Sequence, residues 1–399
     1  MALLNVRVIR NLRRSIMRGH PWLYADSIQN PFGKIPGESL STKKPAGVQA
    51  QLCRLTDAKG DLGWAMYDPH SPLAVRILST EKSAPQEALF QRRMVRAFEL
   101  RAGIRQQDTN AYRLFNGEGD LLPGLVCDIY DKIAVVQFDG QGPGEFWDRG
   151  MIGDWLLKNM GCESVIEKTR RNADRTTILL SGKPVEHEVE IVENGARYLV
   201  NLEKGQKTGF FLDQRDNRLY VRHVSKGKSV LNLFSYTGGF SVNAGLGGAK
   251  RVASLDVSRG AIDLSVSNWQ LNELTPSQHE GLCVDVFEYL NGEKEMWDHI
   301  IVDPPSMSHS EDQKELAMAK YVEVFTAAAG RVAKGGELSL SSCSSHVSFE
   351  DFFKVIDDAL SGARRTGQIM RVSGQGPDHP FPHACHELRY LKFVHIALD

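Results

Sequence analysis

Leu231-Asn232-Leu233-Phe234-Ser235-Tyr236-Thr237-Gly238-Gly239-Phe240 is the stretch on which the fold is decided. The apolar run Ser229–Phe234 reads as a buried strand that ends in a Gly-rich turn and feeds a helix. Downstream, further strands are expected at Arg251–Val257, Gly281–Val284, His299–Val302 and Glu337–Ser341. Helices are expected between them, one capped by Ser258 and running to Leu271, another from Asp312 to Val332. Strands alternating with helices in this way imply βαβ units and a doubly wound parallel sheet. In such sheets ligands bind at the carboxyl ends of the strands, where glycine lets the backbone approach them.

Upstream of that turn the patterns change. Residues 1–80 carry short apolar runs such as Gly63–Tyr67 and Leu73–Leu78 between Gly and Pro punctuation, which predicts a β-rich module. Glu81 to Pro85 reads as its exit linker. A helical period from Gln86 to Arg105 is followed by strands between Tyr112 and Phe138 and a helix from Phe146 to Met160. Strands are expected near Ser164–Lys168, Thr176–Leu180 and Glu188–Val192. The expected architecture is α/β in class, with a β-rich domain at 1–80, a small α+β domain at 86–195 and the doubly wound domain at 196–399.

Composition narrows the function classes. The 399 residues are 42% hydrophobic and 24% charged, which excludes a disordered chain. The formal charge is −1, but residues 1–80 hold eleven Lys and Arg against five Asp and Glu. That local excess of six (11 − 5) leaves −7 for the rest and allows a basic docking face on one domain. No run of about 18 apolar residues is present, so no membrane span or membrane partner is expected. Six scattered cysteines without a C-x-x-C pair argue against a disulfide framework or zinc ribbon and for a reducing, cytoplasmic location. The Arg-rich start resembles a transit peptide, but it runs straight into Gly19-His20-Pro21-Trp22-Leu23-Tyr24, which reads as folded protein.

Five carboxyl-edge positions carry the candidate chemistry. The turn Phe234, Tyr236, Thr237, Gly238 and Gly239 is the first. Asp256, at the end of the next strand, suits the two hydroxyls of a ribose, and Asp285, at the end of the third, an adenine amine. Neither a G-x-G-x-x-G fingerprint nor a P-loop lysine is present, so a nucleoside ligand without pyrophosphate fits, S-adenosylmethionine being the commonest. The bland reading is that both aspartates only cap loops. Asp303-Pro304-Pro305-Ser306 places a stiffened carboxylate after a buried strand, suited to a base edge; otherwise it is a strand terminus. Cys343, in Ser341-Ser342-Cys343-Ser344-Ser345-His346, follows another apolar strand. Methylation of a pyrimidine C5 needs prior covalent addition at C6, and a thiolate is the natural nucleophile; the alternative is a small buried hydrophobe. His379, His383, Cys385 and His386 match no common zinc spacing, so no metal is expected. Arg7, Arg10, Arg13, Arg14 and Arg18 with Trp22 and Tyr24 suit phosphate contact and base stacking, or else form a solvated basic face.

Together these motifs resemble the PUA-domain ribosomal RNA cytosine-C5 methyltransferase family over nearly the whole chain. Arg18–Tyr24 looks like the opening of its PUA domain, and Gly117–Asp120 with Leu122–Leu125 resembles its central domain. Lys207-Thr208-Gly209-Phe210-Phe211-Leu212-Asp213-Gln214-Arg215 looks like the stretch that closes over the cofactor. Phe234–Gly239, Asp303–Pro305, Ser342–His346, Asp378–Pro380 and Tyr390–Lys392 resemble further family elements. The resemblance implies methyl transfer from S-adenosylmethionine to C5 of a cytidine in large-subunit ribosomal RNA. Cys343 would attack C6 and Asp303 would hold the N3/N4 edge. Lys207, Phe211, Asp213, Arg215 and Pro304 would join the cofactor residues, and Arg13, Arg14, Arg18 and Trp22 would contact RNA. No sequence feature identifies the base that takes the C5 proton; His346 is offered as its candidate. The oligomeric state stays open, with a homodimer among the options.

Two features depart from that pattern. Ser306 stands where relatives often carry Lys. The run Ser225 to Ser258 is similar to a sister family that methylates a guanine ring nitrogen without a cysteine nucleophile, which makes guanine the second reading. A catalytically inactive RNA-binding assembly factor is the third.

Overall fold

The computed structural model describes residues 3–32, 47–171, 174–186, 188–292, 294–307 and 311–399. The chain divides into two units, one of residues 1–187, 201–210 and 377–386, the other of residues 188–200, 211–376 and 387–399.

Two five-stranded sheets build the first unit. The first contains β1 (Leu4–Arg7), β2 (Trp22–Leu23), β3 (Gln51–Asp57), β4 (Gly60–Tyr67) and β5 (Val75–Ser79), with α1 (Arg13–Met17) between its first two strands. Its order is β1-β3-β4-β5-β2. Val6, Cys53, Leu55, Ala65 and Val75 form its buried face. After α2 (Glu87–Leu100) and α3 (Ala102–Arg105) come β6 (Ala111–Asn116), β7 (Leu125–Tyr130), β8 (Ile133–Phe138), α4 (Gln141–Phe146), α5 (Arg149–Met160), β9 (Ser164–Arg171) and β10 (Asp174–Gly182). These strands pair in the order β10-β9-β8-β7-β6. The parallel step from β8 to β9 needs a crossover, which α5 supplies; Asp148 caps its N-terminus, accepting from Met151 N at 3.0 Å, and Gly161 ends it at φ 66°. Arg101 is fully buried, and its charge is met by a two-pronged pair with Asp120 at 2.6 and 2.7 Å.

The second unit opens with a hairpin, β11 (Glu188–Glu193) and β12 (Ala196–Asn201), followed by α6 (Arg215–Val224). Then strand and helix alternate: β13 (Ser229–Leu233), α7 (Gly239–Leu246), β14 (Arg251–Asp256), α8 (Arg259–Leu271), β15 (His279–Cys283), α9 (Val286–Gly292), β16 (Trp297–Val302), α10 (Lys314–Ala329), β17 (Val332–Ser342) and α11 (Phe349–Gly362). The chain closes with β18 (Gly367–Ser373) and β19 (Lys392–Leu398). The sheet order is β15-β14-β13-β16-β17-β19-β18. Its first five strands are parallel, and β19 runs antiparallel to both of its neighbours. Alternate residues point to opposite faces. Leu231, Leu233, Ile300, Val302, Leu338 and Leu340 pack with α10 and α11, while Val230, Val252, Ile301 and Phe393 pack with α6, α7 and α8. Both faces are therefore covered, as near-continuous apolar strands require.

The alternation expected from sequence is present, with differences at its end. The helix expected to reach Val332 stops at Ala329, before Gly330, and Val332 already belongs to β17. Helix α11 and strands β18 and β19 were not expected. The start of α11 is marked by a capping box in which Asp351 N donates to Ser348 Oγ at 3.1 Å and Ser348 N to Asp351 Oδ2 at 3.1 Å.

A polar strip crosses the sheet interior. Ser339 Oγ lies 2.8 Å from His299 Nε2 and 2.9 Å from His395 Nδ1, and Glu337 pairs with Lys228 at 2.6 Å. Burial pushes the His299 imidazole down from 6.5 to about 3 and that of His279, stacked on Trp269, down to about 4. The unfolded chain takes up protons at these positions as pH falls through about 6.5. The folded chain does not, so their stabilisation is complete above that pH and is lost as pH falls toward about 4. The urea midpoint is accordingly expected to be lower at pH 5 than at pH 7, with a smaller drop in His299→Asn. Equal drops in parent and variant would contradict this assignment.

Candidate active site

Because β13 to β17 are parallel, the chain leaves each of them at the same edge of the sheet. That edge carries 234–239 after β13, Asp256 at the end of β14, Asp285 after β15, Asp303 after β16 and Cys343 after β17. The order reverses between β13 and β16, the place where open α/β sheets bind ligands.

The turn after β13 is held in an unusual backbone. Phe234 (φ 56°), Tyr236 (φ 47°) and Gly238 (φ 79°) all have left-handed conformations. For the two non-glycine residues this costs on the order of 1–3 kcal/mol each, which surrounding bonds must offset. Those bonds are Ser235 N to Leu255 O at 2.9 Å, Tyr236 N to Asp256 Oδ2 at 3.0 Å, and Asn268 Nδ2 to Thr237 O at 2.9 Å. Phe211 meets Tyr236 edge-on at 5.3 Å. A Cβ at Gly238 would come within 2.8 Å of Ser265 Cβ, so glycine lets the turn lie directly on α8. Gly239 begins α7.

Both strand-end aspartates serve the backbone, as the capping reading expects. Asp256 accepts from Tyr236 N through Oδ2 and from Ser258 N through Oδ1 at 2.9 Å. Asp285 caps α9, accepting from Phe287 N at 2.8 Å and Glu288 N at 3.1 Å, both through Oδ1. A carboxylate offers about four lone-pair sites, so these bonds orient the groups without exhausting them. The donor set fits S-adenosylmethionine. Two acceptor carboxylates suit hydroxyls and an amine and disfavour a phosphate. Ser235 Oγ and Thr237 Oγ1 lie buried in the turn without a hydrogen-bond partner among the described residues. Asp256, Asp285 and the turn would hold the nucleoside.

Asp303 is fixed through Gln214, a residue with no local signal that marks it as part of the site. Gln214 Nε2 donates to Asp303 Oδ1 at 2.9 Å and lies 3.4 Å from Ser341 Oγ. Asn217 Nδ2 donates to Gln214 Oε1 at 2.6 Å, and Ser373 Oγ to Asn217 Oδ1 at 2.7 Å. This relay sets the orientation of both amides. Among the other expected residues, Asp213 is buried and accepts from Tyr390 OH at 2.7 Å. Arg215 is buried at the start of α6, and Pro304 is buried beside Asp303. Lys207, at φ 50°, belongs to the first unit.

Among the described residues no cysteine forms a disulfide, and Cys343 is one of two that are only half-buried. Burial pushes the thiols of Cys53 and Cys162 up to about 12 and about 11 and that of Cys127 well above its ordinary value, which makes them poor nucleophiles. The serines flanking Cys343 are anchored by Tyr321, whose hydroxyl lies 3.1 Å from Ser342 Oγ and 2.9 Å from Ser344 Oγ. Ser344 Oγ also lies 3.1 Å from Ser306 Oγ, linking the cysteine segment to the segment after β16.

The basic residues near the start divide into two kinds. Arg13 is held by Asp57 at 2.6 and 2.8 Å, and the Trp22 indole donates to Glu118 at 2.9 Å. Arg14 and Arg18 are exposed. His379 is buried against Asp378 at 3.0 Å.

Residues 155–344 match the S-adenosylmethionine-dependent methyltransferase family, and residues 6–80 match the PUA-like domain. A Deinococcus radiodurans protein named ribosomal RNA large subunit methyltransferase is 34% identical, over 99% of this chain and 98% of that one. The chain belongs to the ribosomal RNA large subunit methyltransferase family. A second member, ribosomal RNA large subunit methyltransferase I of Pseudoalteromonas atlantica, is 34% identical over 95% of both chains. A solved structure from Streptococcus mutans superposes with a TM-score of 0.84 at 24% identity, covering 99% of this chain and 100% of that one. Another, SMU.776 complexed with SAH, gives the same score and identity with 100% of both chains covered. At that identity the two structures establish the fold, which matches the family assignment. S-adenosylmethionine is the cofactor of this methyltransferase.

Replacing Asp256 by Asn removes a charged acceptor, whose hydrogen bonds contribute about 1.5–3 kcal/mol. Asp256→Asn is expected to weaken S-adenosylmethionine binding by roughly tenfold or more in calorimetric titration. Unchanged affinity would remove Asp256 from the nucleoside site.

Proposed function

We propose that this methyltransferase modifies C5 of a cytidine in large-subunit ribosomal RNA, in the cytoplasm, through a covalent adduct with Cys343. The observation that carries the reading is the pairing of Asp303 and Cys343 beyond adjacent strands. Val302 of β16 lies opposite Leu340 of β17, so Asp303 is level with Ser341 and Cys343 lies two residues further on. The half-buried state of Cys343, in contrast to the three thiols that burial raises, supports its role as the reactive one. The names of the relatives support the RNA substrate.

C5 of cytosine is a weak nucleophile. On this reading the Cys343 thiolate forms a bond to C6, the ring electrons move toward N3, and C5 gains nucleophilic character. S-adenosylmethionine supplies the methyl group as an electrophile. Once C5 carries the methyl group, a base removes the C5 proton, the C5–H electron pair restores the C5–C6 double bond, and the S–C6 bond breaks to return the thiolate. Asp303, anchored by Gln214 at Oδ1, would accept from the exocyclic amine and so hold the ring in place. The target cytidine must leave any stack to reach these groups. Arg14 and Arg18 would contact phosphate, with Arg13 and Trp22 shaping the surface beside them.

Cys343→Ala is expected to abolish methylation of ribosomal RNA while leaving S-adenosylmethionine affinity unchanged. RNA containing 5-fluorocytidine cannot lose a proton at C5, so it should trap a protein–RNA adduct on a denaturing gel with the parent and none with the variant. Full methylation by Cys343→Ala would end the covalent mechanism and favour the guanine reading, which needs no thiol.

A further inference from the structure

Lys392 opens β19 and is only 1% exposed. A lysine is seldom that buried unless a partner meets its charge. All three of its donors go to backbone carbonyls: Ser344 O at 2.6 Å, Val347 O at 2.7 Å and Tyr390 O at 2.7 Å. Carbonyls satisfy the donors but leave the charge unneutralised. Among the described residues no carboxylate forms an ion pair with it. Two of the three carbonyls belong to the loop that leaves β17 at Cys343 and enters α11 at the Ser348 cap. The ammonium therefore fastens that loop from beneath, one residue and four residues beyond the thiol.

We propose that Lys392 is a positioning residue for Cys343, clasping the loop that carries the thiol and keeping a buried positive charge beside it that favours the thiolate. The proposal rests on the reading of Cys343 as the nucleophile. A free thiol titrates near ~8.5, which leaves only a few per cent as thiolate at neutral pH, so the covalent step gains from any nearby cation. The influence is reciprocal. Burial pulls the Lys392 ammonium down from 10.5 to about 8, while Cys343 and Asp351 act in the opposite direction and favour its charged form. Other titratable groups also line the loop. Tyr321 is held above its ordinary value, chiefly by burial, with Cys343 adding to the rise. Asp351 is ion-paired with Lys314 at 2.8 Å, and His346 is half-buried within the loop itself.

The test is the pH dependence of Cys343 alkylation by iodoacetamide, followed by mass spectrometry of its peptide in the full chain. The parent is expected to show a midpoint below ~8.5. Lys392→Met, which keeps the apolar stem, should raise the midpoint by about one pH unit or more, leaving about tenfold less thiolate at neutral pH. Lys392→Arg retains the charge and should fall between the two. Thermal unfolding and S-adenosylmethionine binding show whether the variants are folded. A folded Lys392→Met protein with the parent profile would overturn the proposal, and so would a parent midpoint at or above the ordinary thiol value. The parent midpoint decides the matter even if Lys392→Met does not fold. Alkylation needs no methyl transfer, so the two readings fail separately: a Lys392-dependent profile alongside full methylation by Cys343→Ala would uphold the coupling and remove the nucleophile.

Discussion

The parallel hydrogen-bonded register of β13 through β17 is the constraint on which the site depends. Parallel strands must each be left at the same edge, whatever the crossover between them. Residues as far apart as Phe234 and Cys343 are thereby brought to one rim. The register is specified because both faces of each strand are buried: a slip by one residue would exchange Leu231 and Leu233 for Val230 and Asn232 against α10 and α11. The apolar composition of these strands and the placement of the chemistry are thus one requirement.

Holding the rim residues in place then falls to local polar networks. The left-handed turn at Phe234 and Tyr236 is anchored by Asp256, which orients a site carboxylate in the same bond. Gln214 couples Asp303 to the strand beside it through Ser341, and Asn217 and Ser373 orient Gln214 in turn. Tyr321 and Lys392 secure the two sides of the cysteine loop. Each of these rim groups is thus positioned by a partner from a different element, which fixes its geometry before any ligand arrives.

The edge itself was legible in the sequence because its signals are local: short apolar strands, each followed by Gly, Asp or Pro. The N-cap at Ser258 was legible for the same reason and accepts from Ala261 N as expected. What escaped notice depends on contacts distant in sequence. Gln214 looks like any surface amide until Asp303, 89 residues away, is brought beside it. Lys392 resembles a solvated lysine because its partners are backbone carbonyls, which leave no mark on composition. Trp22 and Arg13 read as free docking groups, yet their partners Glu118 and Asp57 lie 96 and 44 residues onward. Helix α11 does carry a local signal, the serine and aspartate of its capping box.

The chemistry proposed for this edge ends in a C5-methylated cytidine. It is tested most directly by incubating the protein with methyl-labelled S-adenosylmethionine and ribosomal RNA from cells lacking its gene, then digesting the RNA to nucleosides. Label is expected in 5-methylcytidine and in no other nucleoside. Label in a methylguanosine would leave the fold and cofactor in place and contradict the role assigned to Cys343.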